Sequence, residues 1–316
     1  MHLKRLSIPA RQFRPGFTLV ELIVVIVIVG ILAALILPAI SQTFVTANNA
    51  KVTVEIKNLE NAIALFKTKY GVEPPSQFKL CTRAQDWNAN PDAKALIRRI
   101  WPSFDFNMPA GSFPAWWGDI PDNQKVNGAI ILSGPECLVF FLGGVTDSAP
   151  TQESSVAPMG FAVNAQRPFS VNEIARVPPF FEFDVGRMKD DTGNKFAEFY
   201  DPLPAKTKQP YVYFSSYEGT GYRPEELPTF SLLDVYRQGN AAVPPGKNAA
   251  SGQSAKFPPH KATGFQIISP GYDGQLGFGG VYTSELANSG LMAPDGTPDK
   301  SAFDNITNFS NGVLKK

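Results

Sequence analysis

The chain has 316 residues, enough for one large domain or two small ones, and its 29 Lys and Arg nearly balance its 28 Asp and Glu. This balance gives no electrostatic reason to expect a nucleic-acid partner, and we predict none. With 28 Pro, 26 Gly and 24 Phe, the composition favours a loop-rich domain with short strands and disfavours a helical bundle.

The first element is an apolar run from Leu22 to Ile40, whose 19 residues carry no charge. As a helix, this run is long enough to cross a bilayer core about 30 Å thick. Positive charge ahead of such a run marks its cytoplasmic end. No acidic residue lies ahead of Gly16, whereas these basic residues do: Lys4, Arg5, Arg11 and Arg14.

Two common explanations of the run leave something unexplained. A cleaved secretory signal has an apolar core of about 7–15 residues and a small-x-small cleavage site, a pattern that residues 41–43 lack. A plain membrane anchor gives no reason for Glu21, since an unpaired carboxylate near hydrocarbon costs several kcal/mol.

Residues 16–21 read Gly-Phe-Thr-Leu-Val-Glu, directly before the apolar run. This order resembles the processing site of type IV prepilins and type II secretion pseudopilins. The resemblance implies that prepilin peptidase cuts after Gly16 and methylates the new N-terminus on Phe17. Glu21 is then the fifth residue of the processed chain, where the family carries its glutamate.

The resemblance gives Glu21 a role in assembly. The carboxylate of one subunit would neutralise the N-terminal ammonium of Phe17 on a neighbour inside a bundle of apolar helices. Removing one partner of such a buried pair costs about 3 to 5 kcal/mol. The alternative is a glutamate that reaches toward the headgroups from an ordinary anchor.

Pro38 and Gly30 are our candidates for a kink in this helix. Proline removes a backbone donor and clashes with the preceding turn. Many family members have a proline at the position of Pro38. The resemblance implies that flexibility near this proline lets subunits leave the membrane. The alternative is a proline at the membrane exit, which lipid and water tolerate.

The helical pattern continues beyond the apolar run and ends before Gly71 and Pro74-Pro75. A helix over 17–70 would be roughly 80 Å long, apolar all round in its first half and amphipathic in its second. A continuous coiled coil is disfavoured because the stripe is too short. One stripe comprises Val52, Ile56, Leu59, Ile63, Phe66 and Tyr70.

After residue 71 the sequence predicts short elements between loops. A helix is expected over 93–100, and residues 138–142 suit either a strand or a buried helix that starts at 133–136. Loops are expected over 146–158 and 239–258. Strands are expected at 130–132, 180–184, 211–214 and 264–269.

Several polar or aromatic groups admit two interpretations. Trp116 and Trp117 suit core packing better than a sugar or base platform. Residues 190–194 (Asp-Asp-Thr-Gly-Asn) look ligand-like but favour a solvated turn. Cys81 and Cys137, the only cysteines, would form either a disulfide in an oxidising compartment or two separate buried thiols.

One constellation near the C-terminus suggests a cation site. An Asp-x-x-x-Gly turn at 273–277 follows a strand, and Asp304-Asn305 comes later. This order resembles the calcium loop of major pseudopilins, which implies Ca²⁺ ligands at Asp273 and Asp304, with Asn305 or Ser269 as further candidates. The alternative is ordinary turn chemistry without metal.

An enzyme is disfavoured. His260 is the only histidine beyond the leader, and the chain lacks the G-x-S-x-G, H-E-x-x-H, phosphate-loop and dinucleotide motifs. Apart from a possible Ca²⁺, we expect no cofactor.

The sequence therefore predicts an α+β protein with three parts: a leader over 1–16, a long N-terminal helix over 17–70, and an exported head over 71–316 with a small antiparallel sheet against the helix. The resemblance implies a structural subunit of a type II secretion pseudopilus. It would cross the bacterial inner membrane once, N-terminus in the cytoplasm and head in the periplasm, before entering a filament.

The implied partners are prepilin peptidase, identical or homologous pilin-like subunits, the inner-membrane assembly platform and, before assembly, membrane lipid. Two alternatives stay open: a type IV pilus subunit or minor tip adhesin, and a membrane-tethered enzyme.

Overall fold

The computed structural model describes residues 16–109, 111–152, 155–205, 208–223, 225–226, 231–239, 256–285, 290–310 and 312–314. Helix α1 spans Leu19–Tyr70, and contacts divide the chain into two units, Met1–Ala47 and Asn48–Lys316. Residues 48–70 of α1 therefore belong to the same unit as the head.

The described part of the first unit is the start of α1. Its large apolar side chains are exposed; Leu19, Val20 and Leu22, for example, have exposures of 73, 67 and 55 %. Among the described residues, α1 alone has the length and apolar composition that a membrane crossing requires. The backbone stays helical through Gly30 and Pro38, and a kink there remains a prediction.

The second part of α1 packs its predicted stripe into the head. The side chains of Val52, Leu59, Ile63 and Phe66 are fully buried, and Tyr70 is partly buried against the same core. An apolar stripe at steps of three and four residues faces one side of a helix, and that side here covers the main core. The predicted stripe therefore lies on the buried side of α1.

Three shorter helices follow: α2 (Ala84–Ala89), α3 (Pro91–Ile100) and α4 (Gly134–Gly143). The third confirms the helical interpretation of residues 138–142. Its start is a capping box, in which the Glu136 carboxylate accepts hydrogen bonds from the Ser133 amide at 2.6 Å and from the Ser133 hydroxyl at 2.8 Å. All ten residues of α4 are buried, so the helix forms a central layer of the head.

Twelve short strands complete the described fold. They are β1 (Phe78–Cys81), β2 (Lys125–Val126), β3 (Ala129–Leu132), β4 (Phe161–Ala162), β5 (Arg176–Val177), β6 (Met188–Lys189), β7 (Glu198–Phe199), β8 (Val212–Ser215), β9 (Tyr236–Gln238), β10 (Phe265–Ser269), β11 (Gly280–Tyr282) and β12 (Ile306–Thr307).

The strands form several small sheets. Antiparallel pairing gives the sheets β1-β3-β2, β12-β10-β8, β4-β5 and β6-β7, whereas β9 and β11 run parallel. The predicted α+β class is confirmed, with several sheets in place of one.

The strand predicted at residues 180–184 is wrong. The backbone amides of Phe180 and Phe181 both donate to the carbonyl of Leu142, at 2.7 and 3.3 Å, at the end of α4. These donors satisfy a helix end, so no ladder forms. The hydrogen-bond partner of this segment lies on α4, a distant element of the chain.

The sheet β12-β10-β8 separates two apolar clusters. Tyr213 and Ile267 point into the main core with α1, α4 and β1, whereas Val212 and Ile268 point into a second core near the C-terminus. Alternating strand residues face opposite sides, so both faces are covered. Because cores cover both faces of β10, the turn that follows it begins at a well-packed strand end.

The aromatic and cysteine alternatives are decided by burial. Trp117 is fully buried among aromatic rings, and the Trp116 indole donates to the Thr146 carbonyl at 3.3 Å, in accord with the packing interpretation.

Cys81 and Cys137 are both buried free thiols, and burial raises the pKa of Cys81 to about 12. Of the two alternatives, the structure has the separate thiols, whose sulfurs have different local partners, the Asn90 amide and the Leu132 carbonyl.

Candidate functional site

The first candidate feature is the start of α1. Gly16 and Phe17 precede the helix, and the Phe17 side chain is 74 % exposed. The amide and hydroxyl of Thr18 donate to Glu21 Oε2 at 2.8 and 2.7 Å, and the Glu21 amide donates back to the Thr18 hydroxyl at 3.2 Å. Thr18 and Glu21 thus form a second capping box.

This capping box was missed by the sequence interpretation, although Thr-x-x-Glu ahead of an apolar run is its known signature. A negative side chain in the first turn also suits the positive end of the helix dipole. Glu21 therefore has a local partner in the single chain. The Thr18 amide and hydroxyl both donate to the same carboxylate oxygen of Glu21, Oε2.

The second candidate feature is the turn after β10. The Asp273 amide donates to Asp304 Oδ2 at 3.0 Å, so the two predicted acidic residues meet despite their separation in sequence. Gly271 has a φ of +71°, and a Cβ there would lie 2.5 Å from the Asp304 carbonyl oxygen. Glycine permits both the left-handed backbone and this close approach.

Two side-chain oxygens in this feature are buried without a donor among the described residues: Asp304 Oδ1 and Asn305 Oδ1. The Asn305 amide nitrogen donates to the Tyr236 hydroxyl at 2.9 Å and to the Leu276 carbonyl at 2.8 Å, which fixes the amide group. Buried oxygens without donors are costly, and cation ligands are oxygens of this kind.

The electrostatics of the turn are suited to a nearby positive charge. Burial, with the charges of Asp304 and Asp299, raises the pKa of Asp273 to about 6. Burial also raises the pKa of Asp304, against the hydrogen bonds that its carboxylate accepts. A bound cation would offset both effects.

Ser269, by contrast, is occupied elsewhere. Its hydroxyl donates to Asp201 Oδ2 at 2.5 Å, so it fixes the end of β10 to a buried carboxylate. Within the described part of the chain, no group of three His, Cys, Asp or Glu side chains could hold a metal ion. A cation at Asp273 and Asp304 would need amide, main-chain or water oxygens as further ligands, which Ca²⁺ accepts.

Comparison with known proteins bears on the N-terminal feature. The prokaryotic N-terminal methylation motif matches residues 13–37. The type II secretion system core protein G of Klebsiella michiganensis is 36 % identical over 95 residues, which cover 28 % of this chain and 67 % of that protein. The chain belongs to the pseudopilin family of type II secretion.

Other relatives agree with this placement. The core protein G of Pseudomonas aeruginosa is 38 % identical over 87 residues, 27 % of this chain and 59 % of that protein. That of Escherichia coli is 44 % identical over 52 residues, 16 % of this chain and 36 % of that protein. Most of this pseudopilin therefore lies outside the matched stretches, and the comparison with solved structures gave no significant match.

A third polar feature lies inside the head of this pseudopilin. The turn at 190–194 is not simply solvated, because Thr192 and Asn194 both donate to Glu136 Oε1, at 2.9 and 2.7 Å. Asp190 is buried and accepts the amides of Gly193 and Lys195. These contacts attach the turn to the capping box of α4, so its ligand-like sequence serves packing within the head.

Proposed function

We propose that this chain is a structural subunit of a type II secretion pseudopilus. Prepilin peptidase would cut after Gly16, methylate Phe17 and release a subunit that assembles through its apolar N-terminal helix. The observation that carries the proposal is the match of the methylation motif to residues 13–37, on a helix whose apolar side chains are exposed in the single chain. The similarity to core protein G of type II secretion systems supports a secretion system over the alternative of a pilus subunit or adhesin.

In this proposal the chain starts in the bacterial inner membrane, with its N-terminus in the cytoplasm and its head in the periplasm. Lipid covers the apolar side chains before assembly, and neighbouring pilin-like subunits cover them afterwards, on an inner-membrane assembly platform. In this proposal the chain has a structural role and is not an enzyme. His260 serves packing, since its ring stacks on Phe309 with the ring centres 4.4 Å apart.

Assembly in this proposal uses the charge of Glu21, whereas the capping box uses only its ability to accept hydrogen bonds. The Glu21→Gln variant separates the two, because glutamine also completes a capping box. We expect Glu21→Gln to be cleaved and inserted but to form few filaments, as measured by shearing and subunit cross-linking. The matched control is Thr18→Ala, which weakens the cap by about 1 kcal/mol and keeps the charge.

Filament yield from Glu21→Gln equal to that of the natural chain, with Thr18→Ala impaired, would assign the role of Glu21 to helix capping. Replacement of Gly16 by a larger residue tests the cut itself. That variant should retain the leader, as judged by the mass of the chain recovered from membranes.

We also propose that Asp273 and Asp304 hold one Ca²⁺, with the Asn305 amide oxygen as a further ligand and Ser269 as a support of the strand end. The buried oxygens of Asp304 and Asn305 support this assignment. Calcium should raise the melting temperature of the detergent-solubilised chain, and Asp304→Asn should abolish the rise. An unchanged melting temperature in the natural chain would overturn the assignment.

A further inference from the structure

The turn that carries Asp273 also contacts helix α1. Tyr272, next to Asp273, packs its ring against the main core, and its hydroxyl accepts a hydrogen bond from Asn48 Nδ2 at 3.0 Å. Asn48 is the first residue of the second unit, directly after the exposed apolar segment of α1. One side chain thus joins the carboxylate turn to the first turn of the stem.

The geometry on the turn side leaves Tyr272 little freedom. Gly271 lies so close to Asp304 that a Cβ would lie 2.5 Å from its carbonyl oxygen, and Asp273 is bound to the same residue through its amide. Tyr272 lies between these two contacts. Both chain neighbours of Tyr272 therefore contact Asp304.

The helix side is polar and partly buried at this point. Asn49, the next residue, has a buried side-chain oxygen that accepts no hydrogen bond from any described residue. The Asn49 carbonyl accepts from the Thr53 hydroxyl at 2.9 Å. A buried polar group without a partner is costly, so the hydrogen bond from Asn48 to Tyr272 is a stabilising contact between this turn of α1 and the head.

We propose that Tyr272 and Asn48 form a latch that couples the carboxylate turn to the first head-bound turn of α1. When Asp273 and Asp304 are held together, Tyr272 stays in place and α1 is protected over residues 48–56. When they are not held together, the latch opens and these helix amides exchange faster. The calcium dependence of the latch rests on the proposed cation site, whereas its contact with α1 does not.

The test is hydrogen exchange of the detergent-solubilised full chain, read by mass spectrometry on peptides that cover 48–56. Tyr272→Phe removes only the hydroxyl and should speed exchange there by about fivefold, the equivalent of one net hydrogen bond. Asn48→Ala should have the same effect. Tyr222→Phe is the matched control, since it removes a hydroxyl that binds the Lys261 carbonyl at 2.9 Å in another part of the head.

Calcium forms the second arm. In the natural chain, calcium should slow hydrogen exchange over 48–56. In Tyr272→Phe, calorimetry should show that calcium still binds, but exchange over 48–56 should not slow. Equal protection of α1 in the natural chain and Tyr272→Phe overturns the latch. Failure of calcium to bind the natural chain overturns the cation site instead, and the comparison of the two chains without calcium still decides on the latch.

Discussion

Arg187 and Glu55 form a two-point ion pair between the head and helix α1. The guanidinium donates to Glu55 Oε2 at 2.9 Å and to Glu55 Oε1 at 2.5 Å, and the Tyr211 hydroxyl donates to Oε2 at 2.6 Å. The guanidinium also lies over the Phe199 ring, 4.5 Å from its centre. Glu55 is thus the polar counterpart of the apolar stripe that holds the stem.

Glu55→Gln should lower the free energy of unfolding by about 1–3 kcal/mol, because it leaves the Arg187 charge poorly paired in a partly buried place. Unfolding in urea, followed by tryptophan fluorescence of the solubilised chain, measures the change. The control is Asp92→Asn, which removes the exposed pair with Lys79 and should cost less than about 1 kcal/mol. Equal losses in the two variants would contradict a special role for Glu55.

Glu198 should make stability depend on pH. Burial and the nearby charges of Glu136, Asp191 and Asp190 raise the pKa of Glu198 from 4.5 to about 8. The folded chain therefore keeps a proton that the unfolded chain releases, and stability falls as the pH rises from about 4.5 to about 8.

Glu198→Gln removes this dependence while it keeps an acceptor for the Tyr200 hydroxyl. The variant should match the natural chain near pH 4.5 and exceed its stability above pH 8 by about 2–4 kcal/mol. Urea unfolding at several pH values measures this, with the exposed Glu182→Gln as the control. A constant difference at all pH values would show that the pKa of Glu198 is the same in the folded and unfolded chains.

Asp273 gives a prediction about calcium and pH. Its pKa is raised to about 6, so in the absence of metal its ionisation opposes folding as the pH rises toward 6. Calcium binds the ionised form, so affinity should fall as the pH drops below about 6. Calorimetric titration at pH 5 and pH 7.5 tests this, and equal affinities at both would remove Asp273 from the ligand set.

Gly144 should tolerate no side chain. Its φ is +90°, and a Cβ there would lie 2.3 Å from the backbone of Gly160. Gly144→Ala should lower the melting temperature strongly, through a cost of about 2 kcal/mol or more for backbone strain and displacement. The control is Gly264→Ala, where a Cβ would meet nothing within 4 Å, and a similar loss there would refute the steric explanation.

Elements with a periodic or local sequence signal were predicted well. The stem stripe, α3, α4 and the strands near 130, 212 and 265 follow from residue spacing and turn chemistry that act over a few positions. The capping box of Thr18 and Glu21 is equally local, and its Thr-x-x-Glu signature is present in the sequence although it was not predicted. The failure at 180–184 has another cause, since those amides bind a carbonyl at the end of α4.

The sequence by itself determined the membrane-length apolar helix, the processing motif at Gly16 and Phe17, and the presence of a carboxylate at Glu21. These features depend only on residues that are close together in the chain, so the sequence is enough to reveal them. Only the tertiary structure decided that Asp273 meets Asp304, that Cys81 and Cys137 stay apart as thiols, and that Tyr272 reaches Asn48. Contacts between residues far apart in sequence depend on how the sheets and cores pack, and no local pattern encodes that packing.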